Sequence, residues 1–162
     1  VFGPGDTVLF PRLLAAAKRG KLPKIVRDAA PAVGDLISVD ALVDYMLRAA
    51  QRPDAVGAFN LSHGEPVVMQ EFLAETFRRL GLPPPTRTVP YRVAHMAAHA
   101  AELAWTLLPL RGEPPVTRFG IDVLAFSKTF DITRARTILG PPSQTLAEGL
   151  DVFVDWQRRQ PA

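Results

Sequence analysis

An apolar run that meets an acid and turns at once into an amphipathic helix constrains this chain more than any other feature. It is Asp35 to Ala50, DLISVDALVDYMLRAA. Leu36, Ile37 and Val39 read as a buried strand, and Asp40 stands where a helix needs a side-chain oxygen for its first unpaired N–H groups. Leu42, Val43, Met46, Leu47 and Ala50 fall on one helical face, and Asp44 and Arg48 pair on the other. A strand that feeds straight into a helix is the building unit of an α/β protein.

The flanking stretches repeat that logic. Val1 and Phe2 read as the end of a strand, with Gly3-Pro4-Gly5 turning the backbone sharply. A helix follows, capped by Asp6 or Thr7, with Pro11 in its first turn, Leu9, Phe10, Leu13, Leu14 and Ala17 on its apolar face, and Gly20 as its stop. Lys24 to Arg27 reads as a weak strand, Ala58 to Leu61 as a further strand, and Val67-Val68 as a short extended piece. Met69 to Leu80 reads as a helix with Met69, Phe72, Leu73, Phe77 and Leu80 on one face, Glu75 paired with Arg79, and Gly81 as its end. From Tyr91 to Leu108 the pattern predicts a long helix with one polar stripe, Arg92, His95, His99, Glu102 and Thr106, and a broad apolar remainder to bury. A Pro/Gly break from Pro109 to Pro115 precedes a helix over Val116 to Phe126, and Asp131 is placed to cap the next. Thr145 and Glu148 form a capping-box pair opening a final helix striped by Leu146, Leu150, Phe153 and Val154. Strands this few, separated by helices, argue for crossover topology and against a sandwich or barrel.

At 162 residues and 48% hydrophobic the chain has material for one cored domain, so 1–162 is expected to be a single unit. Without cysteine there is no disulfide, thiolate nucleophile or cysteine-ligated zinc, which fits a cytoplasmic setting. A net charge of +3 is mildly basic, and Lys18, Arg19, Lys21, Lys24 and Arg27 cluster near a helix end, where the dipole favours cations. Nucleic-acid binding is therefore not expected. The stretch from Val93 to Leu110 is interrupted by His95, His99 and Glu102 and makes a poor membrane span, leaving peripheral membrane contact as the alternative use of so apolar a helix. His95, His99 and Glu102 have ligand-like spacing, yet they form the polar stripe that such a helix needs, and no metal site is assigned. His63, without an identifiable nucleophile and acid, reads as a loop histidine.

Taken in order, VFGPGDTVLFPRLL, DLISVDALVDYMLRAA, GAFNLSHGEPVVMQEFLAETFRRLG, TFDITRARTILG and TLAEGLDVFVDW resemble the second half of the extended short-chain dehydrogenases. The resemblance is closest to the 3β-hydroxysteroid dehydrogenase-like branch of the NAD-dependent epimerase/dehydratase superfamily. It implies the C-terminal, substrate-binding portion of a Rossmann-type α/β oxidoreductase using NAD or NADP, with the dinucleotide held mainly by an earlier half. It further implies that Val1, Phe2, Gly3, Pro4 and Gly5 lie near the cofactor, and it makes Phe10 and Arg12 candidates for the substrate side.

Where the sequence departs from the family is equally informative. The glycine-rich phosphate loop is absent, and so is the catalytic Tyr-x-x-x-Lys, because Tyr45 is followed four residues later by Ala49 and Tyr91 by His95. No catalytic residue is assigned, and the 162 residues alone are expected to be inactive. The opening at Val1, within a strand, reads as that of a fragment. Gly34 stands before Asp35 where relatives acting on nucleotide-sugars carry an arginine for the diphosphate, so a small apolar, sterol-like hydroxy or keto substrate is favoured. The competing readings are a non-catalytic lipid- or partner-binding module and a portion of a nucleotide-sugar epimerase or dehydratase.

Overall fold

Phe2, next to the N-terminal turn, is the residue on which the architecture converges. In a computed structural model, which describes residues 1–7, 10–20, 22–28, 30–108, 112 and 114–160, its ring is 1% exposed and packs on Phe10, Phe72 and Phe153. These rings come from four separate parts of the chain. Phe2 and Phe153 stand edge-on at 6.3 Å, and Phe10 and Phe153 lie 4.5 Å apart, the offset and tilted geometries that aromatic quadrupoles favour. Leu14, Leu73, Phe77 and Leu150 complete this core.

The elements in order are α1 (Phe10–Lys18), β1 (Lys24–Val26), β2 (Val33–Gly34), α2 (Val39–Ala50), β3 (Val67–Val68), α3 (Met69–Arg79), β4 (Thr88–Pro90), α4 (Tyr91–Leu107), α5 (Arg118–Ala125), α6 (Thr133–Leu139) and α7 (Leu146–Arg159). The fold is therefore α/β and rich in helix, with short strands. β1 and β4 pair in parallel, Ile25 opposite Val89, while β2 and β3 pair antiparallel, Gly34 opposite Val67. Isolated parallel bridges join Phe2 to Ser38 and Gly34 to Lys128. A second core, around Ile25, Ala94, Ala98 and Ile121, seats the β1–β4 pair against α4 and α5. A third, around Ile37, Ala41, Tyr45 and Leu139, joins α2 to α6.

Several expectations are met. Pro11 sits in the first turn of α1, Gly20 and Gly81 follow their helices with φ of 62° and 69°, and Arg48 pairs with Asp44 and Arg79 with Glu75. The capping box of α7 is complete: the Thr145 hydroxyl accepts from the Glu148 N–H at 3.2 Å, and Glu148 accepts from the Thr145 N–H at 2.7 Å. Thr145→Ala is expected to cost about 1 kcal/mol in urea denaturation. An unchanged midpoint would mean that the box contributes nothing.

Others need correction. Ser38, not Asp40, caps α2, its hydroxyl accepting from Ala41 N–H at 3.3 Å. Asp40 lies inside the first turn because the helix begins at Val39. The stretch Leu36 to Val39 makes only the Ser38 bridge, and Ala58 to Leu61 is not a strand. The buried face of α2 is Ala41 and Tyr45, whereas Val43, Met46 and Leu47 are 47%, 60% and 58% exposed. α4 likewise buries only its alanine side, Ala94 and Ala98. In α2 tertiary contact selected a different arc from the one hydrophobicity identified, and in α4 it selected only part of the broad apolar remainder. Asp131 lies one residue before the N-cap position of α6, yet its carboxylate still accepts from the Thr133 N–H at 2.8 Å. The calls on Leu9 and Lys21, and most of the Pro109 to Pro115 break, fall outside the described residues.

Candidate substrate cleft and cofactor-facing turn

Between the edge of β1 and the first turns of α3 lies a cleft with a cavity volume of about 370 Å³. Its walls are mostly apolar, with Leu22, Ile25, Pro31, Val68, Ala74 and Leu124 prominent. The local sequence explains the shape. Pro31 and Ala32 follow an irregular stretch, Met69 N–H donates to Ala32 O at 3.0 Å, and the Gln70 amide donates to Ile25 O, so α3 is held against β1. The polar rim is supplied by Lys24, Arg27, Asp28 and Glu71. Arg27 is restrained there, 2.5 Å from Asp28 and with its guanidinium 4.0 Å from the centre of the Phe126 ring.

The turn at Val1 to Gly5 is fixed from behind. Phe2 N–H donates to Ile37 O at 2.9 Å, and Phe2 O accepts from Val39 N–H at 2.8 Å. A Cβ on Gly3, whose φ is 149°, would come within 2.5 Å of the Val39 side chain, whereas nothing lies within 4 Å of one on Gly5. Val1 is 65% exposed and Pro4 half-buried. The turn thus presents Val1, Pro4 and Gly5 outward and commits Phe2 and Gly3 to packing. Phe10 is 2% exposed within the aromatic core and Arg12 is exposed on α1, and neither lines the cleft.

The two tyrosines are structural. Tyr45 is fully buried, with burial raising its phenol pKa, and its hydroxyl has no hydrogen-bond partner. Tyr91 donates to Asp122 at 3.0 Å, and desolvation followed by that bond raises its pKa as well. Glu102 is engaged by the backbone and guanidinium of Arg118, at 2.8 and 2.6 Å. Among the described residues no group of three or more His, Asp or Glu side chains could hold a metal.

His63 lies in a loop, as the sequence suggested, but the loop holds it in the interior. It is 1% exposed, and its Nε2 accepts from the Ser38 N–H at 3.1 Å. That leaves the proton on Nδ1, which donates to Gln144 O at 3.1 Å. Burial lowers the imidazole pKa. The ring therefore clamps the start of α2 to the approach of α7. Nothing local in Ser62-His63-Gly64 signals this, because both partners are remote in sequence.

Comparison with known proteins bears on this architecture. No protein-family model matches the chain. It is 33% identical over 156 residues to the 2-alkyl-3-oxoalkanoate reductase of Stenotrophomonas maltophilia (strain K279a), an alignment covering 93% of this chain and 47% of that protein. It is 31% identical over 171 residues to 3beta-hydroxysteroid-dehydrogenase/decarboxylase isoform 2 of Arabidopsis thaliana, covering 96% of this chain and 29% of that one. The chain spans about half, or less, of the length of these relatives. Among solved structures, MoeE5 in complex with UDP-glucuronic acid and NAD superposes with a TM-score of 0.60 at 25% identity, over 98% of this chain and 44% of that one. In sequence and fold the chain is similar to one half of the extended short-chain dehydrogenases.

The N-terminus of α1 does not suit a pyrophosphate, because the Asp6 carboxylate already accepts from the Phe10 N–H at 3.1 Å. The outward side of Gly5 leaves room for a close approach and nothing more. At Gly34 an added Cβ would lie 2.8 Å from Met69 Sδ and 3.2 Å from its Cγ. The position that resemblance associates with a diphosphate-binding arginine is thus filled by a methionine from α3.

Proposed function

We propose that the chain forms the substrate-side half of an NAD(P)-dependent oxidoreductase that acts on an apolar hydroxy or keto compound, sterol-like in its bulk. The observation that carries this reading is the apolar cleft beside β1, in a chain whose Gly34 supplies no cation and is backed by Met69. The names of the relatives point the same way, since 2-alkyl-3-oxoalkanoates and 3β-hydroxysteroids both join an oxygen function to a large apolar body.

In this reading the cleft takes the apolar body, and removing it from water supplies most of the binding energy. The turn at Val1 to Gly5, anchored through Phe2, brings the substrate's oxygen-bearing carbon towards a nicotinamide held by sequence outside these 162 residues. Bound NAD(P) accepts or supplies hydride. The proton-transferring tyrosine belongs to that same outside sequence, since Tyr45 is buried and Tyr91 is held by Asp122. The exposed face of α2, with Val43, Met46 and Leu47, then packs against the cofactor-binding half. A second reading, a nucleotide-sugar enzyme, draws on the likeness to MoeE5.

Equilibrium binding separates the two. Titrated with a 3β-hydroxysterol and, separately, with UDP-glucose, the chain is expected to bind the sterol saturably and the nucleotide-sugar not at all. Ala74→Phe, which fills the cleft, is expected to weaken sterol binding at least tenfold. Tight UDP-glucose binding, or sterol binding indifferent to Ala74→Phe, would sink the reading.

A further inference from the structure

The segment Leu36 to Val39 is held on both edges, and one of its partners is a side chain. Towards the N-terminal turn, Ile37 O accepts from Phe2 N–H at 2.9 Å and Val39 N–H donates to Phe2 O at 2.8 Å. On the opposite edge, Leu36 O accepts from His63 N–H at 3.0 Å, and Ser38 N–H donates to Nε2 of the His63 ring at 3.1 Å. The bonds alternate between the edges as they do in a strand with a neighbour on each side. The imidazole stands where that neighbour's carbonyl would be, and of the four acceptors it alone takes up a proton in mild acid.

We propose that His63 is a positioning residue for the Val1 to Gly5 turn: its neutral ring holds the turn through the Ile37–Ser38 peptide, and protonation at Nε2 releases it. The path is short. Ser38 N–H and Ile37 C=O belong to one planar peptide group and point to opposite edges, so a rotation that takes the N–H away from His63 also turns the carbonyl away from Phe2. With the Nδ1 proton already donated to Gln144 O, a second proton enters at Nε2. There it meets the Ser38 N–H, donor against donor. The Ser38 hydroxyl offers no relief, since it already accepts from Ala41 N–H and from the Gln144 amide.

The surroundings set the direction of the switch. Burial opposes a positive charge on a ring that is 1% exposed, so the proton is taken up below the ordinary imidazole range. The N-terminal end of α2, capped by Ser38, adds positive potential of the same effect. Of the charged groups around it, Glu65 on its own loop favours the protonated ring, and Arg136 of α6 reaches the His63 carbonyl at 3.4 Å. The start of α2 and the approach to α7 meet the ring through Ser38 and Gln144, neither of which titrates. The inference rests on the reading of the turn as cofactor-facing. In the whole protein, the substrate carbon is then aimed at the nicotinamide while the ring is neutral, and that aim is lost in mild acid.

The test needs neither cofactor nor substrate, so its failure leaves the proposed activity standing, and a failure of sterol binding leaves the switch standing. In NMR spectra of the isotope-labelled chain, the His63 ring protons report protonation. The scalar coupling transmitted across the hydrogen bond from Phe2 N–H to Ile37 O reports the turn. From pH 7 to pH 5 that coupling is expected to disappear with the midpoint of the ring, while far-UV circular dichroism stays unchanged. In His63→Gln, whose amide oxygen supplies an acceptor without titrating, the coupling is expected to persist throughout. The Val1 amino group, His95 and His99 are common to both chains and drop out of the comparison. The wild-type titration is decisive by itself if His63→Gln does not fold. Any of four results would overturn the proposal: a coupling that persists while the ring titrates, a ring that stays neutral down to pH 5, loss of the coupling together with unfolding of the whole chain, or the same acid loss in His63→Gln.

Discussion

Replacing His63 by alanine is expected to destabilise the chain by about 3–5 kcal/mol, although the residue lines neither the cleft nor the N-terminal turn. The substitution leaves the buried Ser38 N–H without a partner, at about 1–3 kcal/mol, releases the half-buried Gln144 carbonyl, and opens a cavity in place of a ring that is 1% exposed. The pH dependence carries a distinct signature. Burial holds the folded pKa of His63 below its unfolded value, so protonation favours unfolding. Its contribution is fully present above the unfolded value of about 6.5 and is lost as pH falls through that value towards the folded pKa. Carboxylates with lowered pKa values have the same sign but act further down: Glu75, held near 2 by Arg78 and Arg79, contributes above its unfolded value and loses that contribution only in strong acid. Urea midpoints measured between pH 8 and pH 5 therefore isolate the imidazole. A wild-type chain with a flat profile over that interval, or a His63→Ala chain with the same slope as wild type, would contradict the clamp.

Phe153→Ala is expected to cost a comparable amount, about 3–5 kcal/mol by urea denaturation, because the ring is fully buried and meets Phe2, Phe10 and Trp156. Phe153→Leu, which keeps most of the volume, is expected to cost roughly 1–2 kcal/mol. This pair tests how the proposed cofactor-facing turn is aimed. Phe2 has its side chain in this cluster and its backbone between Ile37 and Val39, so loosening the cluster frees the turn as well as the core. Amide hydrogen exchange at Phe2 and Asp6, whose N–H groups donate to Ile37 O and Gly3 O, is expected to rise in Phe153→Ala to a greater degree than at the α6 amides. Equal protection at Phe2 and Asp6 in the two chains would mean that the turn is held by its backbone bonds alone.

The features readable from sequence share one property: they are local. The Thr145–Glu148 box, the Asp44–Arg48 and Glu75–Arg79 pairs, the glycine stops after α1 and α3 and the position of Pro11 each depend on residues within one or two turns of each other. Their geometry is fixed by helix periodicity before any tertiary contact forms. The family likeness was legible for a related reason, since the order of strand, turn and helix segments survives along a chain even where individual residues change.

What sequence could not supply was the choice among equivalent local options. α2 and α4 each offer more than one apolar arc, and packing selected Ala41–Tyr45 and Ala94–Ala98, leaving Met46 and Met96 outside. Asp40 and Ser38 were both competent caps, and the Phe2 bridge to Ser38 decided between them by fixing where α2 begins. Gly34 reads in sequence only as a missing arginine; Met69, brought in from α3, is what fills the space. By itself the amino-acid order determined the helices, the capping box of α7 and the family likeness. Tertiary structure alone decided which faces are covered, what His63 holds and where the cleft opens, because each of these depends on groups far apart in the chain that meet only after it has folded.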